Sequence, residues 1–173
     1  MVVDMEFDGQ VLTWNGSGRF KATSGLPDNQ VPKDQCVKDK GPVPEGVYKV
    51  LFTDRGVAQD DGTGKCGLIP GWGVQTIPRG AQAGSCEKYW ANWGRNRAMM
   101  VAADPATRNA CATERSGFYL HDSTKGYSHG CIEVETSFFA ALQSRAKNSR
   151  SRNYFILKVK YVGNRVTNGG TLE

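Results

Sequence analysis

Histidine is scarce in this chain: among 173 residues there are two, His121 and His129. Long apolar runs are missing altogether, and because a membrane-spanning helix needs about 20 consecutive apolar residues, no membrane insertion is expected. The first ten residues, MVVDMEFDGQ, lack the basic and apolar regions of a secretory signal, so the chain is expected to be made in the cytosol without a signal peptide. No CxxC pair occurs, which removes the usual zinc knuckle, and no motif asks for a cofactor. Repeats and linker-like stretches are also absent, so residues 1–173 read as one domain. The densest basic run, Arg145 to Arg152 (RAKNSRSR), carries no aromatic residues of the kind that stack on bases. It reads as a solvated helix end, and no nucleic-acid partner is expected.

What is present is the composition of a globular protein with a basic balance. At 39% hydrophobic and 10% aromatic content the chain can bury a core. Its 22 Lys+Arg against 17 Asp+Glu leave a net charge of +5, which suits an anionic partner such as a cell-wall polymer.

The periodicity is mostly that of strands and turns. Met5 to Phe7 and Val11 to Trp14 flank Asp8-Gly9, a hairpin signal. Arg19 to Thr23 alternates as a third strand, and GPVPEGVYKVLF places turn residues before a β-prone run from Val47 to Phe52. Residues 54 to 97 are rich in glycine and read as loops with short strands. Met99 to Ala103, Phe118 to His121 and Asn153 to Val162 read as further strands. From Glu135 to about Lys147 apolar residues recur at helical spacing, with acids before and bases after. The expected fold is mainly β, a β-rich α+β sandwich or barrel, with one helix following Cys131.

Five cysteines divide unevenly. Cys36, Cys66, Cys86 and Cys111 lie in Gly-rich or polar stretches; they allow three pairings as two disulfides in an oxidising compartment, or remain four thiols in a reducing one. Cys131 stands apart in FYLHDSTKGYSHGCIEV, residues 118–134, which also holds both histidines.

That clustering has a chemical reason. A thiol at its ordinary pKa is only a few per cent thiolate at pH 7, so a nucleophilic cysteine needs a nearby base. His121 ends a strand, and Cys131 follows a loop turned by Gly126 and Gly130, so the chain can fold back and bring imidazole to sulfur. Amides around residues 129–131 are then candidates for stabilising an oxyanion. Zinc ligation competes poorly, because HxxxxxxxHxC supplies only three ligands. A buried structural cysteine is the other alternative.

SHGCI, residues 128–132, preceded by a strand ending in His121, resembles the signature of L,D-transpeptidase (YkuD-type) catalytic domains. The hairpin ending in LTW, then ATSG, GPVPEGVY and RSGFYLHD, resemble in the same order the small type VI secretion effectors that carry such a domain. The resemblance implies Cys131 as nucleophile and His121 as general base, with His129, Ser128, Gly130 and Tyr127 shaping the pocket. Asp122 and Ser123 are candidates for orienting His121, and a backbone carbonyl, which serves in relatives, is the alternative. It further implies action on peptidoglycan stem peptides in a target cell's periplasm, with a secretion apparatus and a cognate immunity protein as partners. Removal or exchange of the terminal D-Ala is the implied reaction. Wall-building members usually carry Arg two residues after the cysteine; here Glu133 stands there, which argues against cross-linking. Trp72, Trp93 and Tyr127 are candidates for a sugar or peptide surface, with core packing as the alternative. A papain-like peptidase is disfavoured because it places Cys before His, whereas a non-catalytic wall- or partner-binding domain on the same fold remains the alternative function. Leu172 and Glu173 resemble vector residues and carry no argument.

Overall fold

Eight of ten strands close into a barrel in the computed structural model, which describes residues 1–173. The strands are β1 (Met5–Phe7), β2 (Val11–Trp14), β3 (Gly18–Ser24), β4 (Gly46–Leu51), β5 (Asp54–Val57), β6 (Gly73–Thr76), β7 (Asn96–Ala102), β8 (Phe118–His121), β9 (Ile132–Val134) and β10 (Tyr154–Val159). Their order is β4-β10-β1-β2-β3-β9-β8-β7-β6-β5, and a further β4–β7 pairing closes the ring. Strand β7 makes this possible by dividing one edge: Asn96 to Ala98 pair with β6, while Met100 to Ala102 pair with β4. The mainly β expectation therefore holds, and closure leaves the barrel strands without open edges.

Hairpin β1–β2 turns one residue later than Asp8-Gly9 suggests. Gly9, at φ +103, is the first central residue, and the Asp8 carboxylate accepts from the Gln10 and Val11 amides at 2.9 and 2.8 Å. Strand β9 was not anticipated. It separates Cys131 from the long helix, α3 (Ser137–Lys147), so the helix does not begin at the cysteine. Two single-turn helices, α1 (Glu87–Trp90) and α2 (Pro105–Arg108), complete the elements.

Alternation along the strands fills the barrel interior with Met5, Phe7, Leu12, Trp14, Val50, Ala98, Met100, Leu120, Ile132 and Leu157, all buried. Helix α3 adds Phe138, Phe139 and Leu142 to the same core; Phe138 meets Trp14 and Phe20 at ring distances of 5.7 and 5.5 Å. The basic run after α3 is less free than expected. Arg145 donates to Asn15 O and Ser17 Oγ, and Arg152 forms an ion pair with Asp4 at 2.8 Å.

Residues 54–95 form a small lobe on the outside of the barrel, joined to it through β6 and β7. Its own core is Ala58, Ile77, Ala83, Cys86 and Trp90, closed by the Cys66–Cys86 disulfide. A second disulfide, Cys36–Cys111, joins the segment after β3 to the one before β8.

Candidate active site

The site lies on the outer face of the barrel, and strand register puts it there. Leu120 pairs with Ile132 in the parallel β8–β9 ladder, and both point into the core. Their sequence neighbours must therefore point outward. Arg97, His121, Glu133 and Thr23 are successive partners across β7, β8, β9 and β3, forming one transverse row. One position back along the parallel pair, Cys131 comes level with Tyr119, whose backbone amide donates to Sγ at 3.3 Å. Cys131 and His121 are thus diagonal neighbours on one face, and they line the same cavity.

His121 is 3% exposed, and its Nδ1 has no hydrogen-bond partner. Neither candidate for orienting it does so. The Asp122 carboxylate accepts from the Arg95 and Asn96 amides and from Asn96 Nδ2, which ties the turn before β7. Ser123 Oγ donates to Glu133. The ring is placed by packing instead, with Trp93 edge-on at 5.5 Å. Burial, helped by the charge of Arg97 and by His129, lowers the imidazole pKa to about 3. His121 is consequently a neutral base at physiological pH.

Cys131 keeps part of its side chain open and is the one free cysteine. Burial raises its thiol to about 11, opposed by the Tyr119 amide, Arg97 and Arg115. The resting pair is therefore thiol and neutral imidazole, not thiolate and imidazolium. Two clefts meet at the sulfur. One, of about 220 Å³, is lined by Tyr89, Asn92, Trp93, His121, Tyr127 and His129 among others. The second, of about 280 Å³, is lined by Lys38, Asp39, Glu114 and Arg115 among others. Trp93, His129 and Cys131 line both, so they form a ridge across a continuous groove.

The remaining SHGC residues divide into loop builders and lining groups. Ser128 is buried; its Oγ accepts from the Gly25 and Gly130 amides at 3.0 and 3.3 Å and donates to Cys131 O. Gly130 adopts φ +125, and a Cβ there would collide with Arg115 Nη2, so only glycine fits. His129 is exposed and contacts Asp39 O at 3.3 Å. Tyr127 lines the first cleft and bonds to Asn92 Oδ1 at 3.3 Å. Trp93 joins the groove, whereas Trp72 is 64% exposed and lines a neighbouring cavity that shares residues 114–118 with the second cleft but does not reach Cys131.

Glu133 does not reach the groove. It is wholly buried, and its carboxylate accepts from Lys125 N at 2.9 Å, Gly126 N at 2.8 Å, Thr171 Oγ1 at 2.5 Å and Ser123 Oγ. It anchors the 122–130 loop and the C-terminal segment. The acid at this position therefore bears on loop shape and presents no charge to the groove.

Two arginines escaped the sequence analysis. Arg97 is 2% exposed and sandwiched between Trp93 and Tyr119, with its guanidinium carbon 4.5 and 4.2 Å from the ring centres. It bonds to Gln75 Oε1 and Ile69 O. Arg115 lies on the other side of Cys131, against Gly130. An isolated arginine in a loop or at a strand start carries no signal of its own; only register and folding bring both beside the sulfur.

A family model for the Tlde1 domain matches residues 18–156. The chain belongs to the Tlde1 domain family. The matched span begins at β3, ends within β10 and takes in every residue lining the two clefts. Tlde1 domains are type VI secretion effectors, so the protein is an antibacterial effector that is secreted and acts in target cells. A secretion apparatus and an immunity protein go with that membership. No helix of this Tlde1 protein is long and apolar enough to cross a membrane. No curated protein matches the chain significantly.

Proposed function

We propose that residues 1–173 form one catalytic domain, a cysteine L,D-carboxypeptidase and L,D-transpeptidase acting on peptidoglycan stem tetrapeptides in the periplasm of the target cell. The observation that carries this is the shared cavity of Cys131 and His121, in which a lone thiol and a neutral, partnerless imidazole face the same space.

The Cys131 Sγ attacks the carbonyl of the third residue while its proton passes to His121, so that an Sγ–C bond forms as the thiol ionises. Because the resting pair is neutral, the proton moves to His121 only as the Sγ–C bond forms, which is general-base activation in the transition state. The Gly130 amide is turned to Ser128 Oγ, whereas the His129 and Cys131 amides donate to no protein group and serve the developing oxyanion. As the tetrahedral adduct collapses, the C–N bond breaks and His121 returns its proton to the departing D-Ala amine. Water then attacks the thioester, losing its proton through His121 and restoring the thiol. A D-amino acid in place of water gives exchange.

The experiment is digestion of purified stem tetrapeptide followed by mass analysis. Loss of the mass of one alanine residue is expected, along with a mass shift when a different D-amino acid is supplied. Cys131→Ala and His121→Ala are each expected to abolish turnover with the fold retained by circular dichroism. Unchanged tetrapeptide, or wild-type rates in either variant, rejects the assignment.

A further inference from the structure

Cys131 lies between two guanidinium groups, and neither has a carboxylate partner. The ion pairs of the chain are Arg79–Glu87, Arg152–Asp4 and Arg165–Asp8, none of them in the groove. Arg97 is closed off between its two aromatic rings and cannot touch a ligand. Arg115 is different: it is half-buried and lines the second cleft. It donates through Nη1 to Gln35 O and Pro42 O at 2.6 and 2.7 Å, and through Nη2 to Gly41 O at 3.1 Å. A guanidinium has five N–H groups, so two remain for a ligand.

Its position is fixed from two directions. The three carbonyls belong to the segment 35–42, which the Cys36–Cys111 disulfide ties to the chain just before Arg115. Nη2 abuts Gly130, the residue before the nucleophile. Lys38 lines the same cleft; so do Asp39 and Glu114, but neither acid lies within ion-pair distance of Arg115. The second cleft therefore offers a preset cation with no ion-pair partner next to the sulfur.

We propose that Arg115 binds the free C-terminal carboxylate of the residue expelled from Cys131, making the groove a trimming site for chain ends. This rests on the assignment of Cys131 as nucleophile. In a substrate whose last residue leaves, the carboxylate carbon is two bonds beyond the leaving nitrogen, which puts its oxygens roughly 5 Å from the carbonyl carbon under attack. A cation beside residue 130 meets that requirement, and the planar guanidinium suits a carboxylate. The body of the peptide then lies over the ridge in the cleft lined by Tyr89, Asn92 and Tyr127. Arg115 stays charged throughout, so it selects and aligns the substrate while the thiol and imidazole exchange the proton.

The test compares two synthetic stem tetrapeptides that differ only at the end, one a free acid and the other a C-terminal carboxamide. Release of the last residue by the wild-type protein is followed by mass spectrometry. The expected kcat/KM ratio is about 100-fold in favour of the acid, the effect of leaving one member of a partly buried charge pair alone. In Arg115→Gln the ratio falls to within about threefold of unity, and in Arg115→Lys it is partly retained. Equal release from both peptides by the wild-type protein overturns the proposal while leaving the nucleophile assignment standing, as does an undiminished ratio in Arg115→Gln. If neither peptide is processed, the nucleophile assignment fails and this inference fails with it. Because the first comparison uses unaltered protein, it does not depend on the variants folding.

Discussion

Arg97 faces His121 directly across the β7–β8 ladder, its charge held between the rings of Trp93 and Tyr119. A buried cation with no counter-charge beside a histidine favours the neutral imidazole. The same charge favours the ionised sulfur once the thiol begins to lose its proton. Arg97 thus acts in opposite senses on the reacting pair without touching substrate: it keeps the resting imidazole unprotonated and stabilises the developing thiolate, while opposing the positive charge His121 gains.

The resting thiol sets the alkylation profile. With Cys131 raised to about 11, iodoacetamide should label it slowly at pH 7, with the rate rising about tenfold per pH unit up to roughly pH 10. A plateau at neutral pH would mean a preformed thiolate–imidazolium pair and would contradict the geometry described.

His121 links stability to pH. Its ordinary pKa is 6.5 and its folded value about 3, so between these values the unfolded chain binds one more proton than the folded one. Stability is therefore full above about pH 6.5 and falls as pH drops toward 3, by up to about 1.4 kcal/mol per pH unit. Urea midpoints at pH 7 and pH 4.5 should differ in the wild type and differ less in His121→Gln.

Removing the cation should move the acid limb of the rate profile. Arg97→Met takes away one of the causes that lower His121, so the acidic limb of kcat/KM should shift to higher pH, with kcat reduced at neutral pH. A lower kcat with an unmoved limb would assign Arg97 a packing role only.

Glu133 supports the loop, so an isosteric amide should damage it. In Glu133→Gln, one oxygen becomes a donor facing donors, among Lys125 N, Gly126 N and Thr171 Oγ1. The expected cost is about 2–3 kcal/mol, read as a lower urea midpoint, with faster proteolysis within residues 122–130. Wild-type stability would show that the carboxylate is dispensable.

The disulfides support opposite sides of the groove. Cys66–Cys86 closes the lobe bearing Tyr89, Asn92 and Trp93, while Cys36–Cys111 joins the segments bearing Lys38 and Arg115. Cys36–Cys111 spans 75 residues and Cys66–Cys86 spans 20, so loop-closure entropy gives about 4 kcal/mol for the first and about 3 kcal/mol for the second. Cys36→Ala/Cys111→Ala should unfold at lower temperature than Cys66→Ala/Cys86→Ala, by calorimetry. The reverse order would show that strain or residual structure outweighs chain entropy.

How far the sequence can be read depends on how local each signal is. Strand β8 is legible to the residue because its apolar run ends at His121, and α3 because four buried positions recur at its period. The start of β7 was hidden, since Asn96 and Arg97 look like loop residues until a lobe covers their outer face. Strand β9 is three residues long and owes its conformation to partners on either side. The cluster of Cys131 with both histidines was visible because both walls of that contact fall in one short stretch. Disulfide pairing and both arginines were not, because each depends on contacts between segments far apart in the chain.

The closed barrel separates two design problems. Hydrogen-bonded ladders hold the spacing between nucleophile and base, whereas what the groove recognises is written in peripheral segments that the ladders do not use. Substrate preference can therefore drift through changes in those segments, with the reacting atoms kept in alignment by the cylinder beneath them.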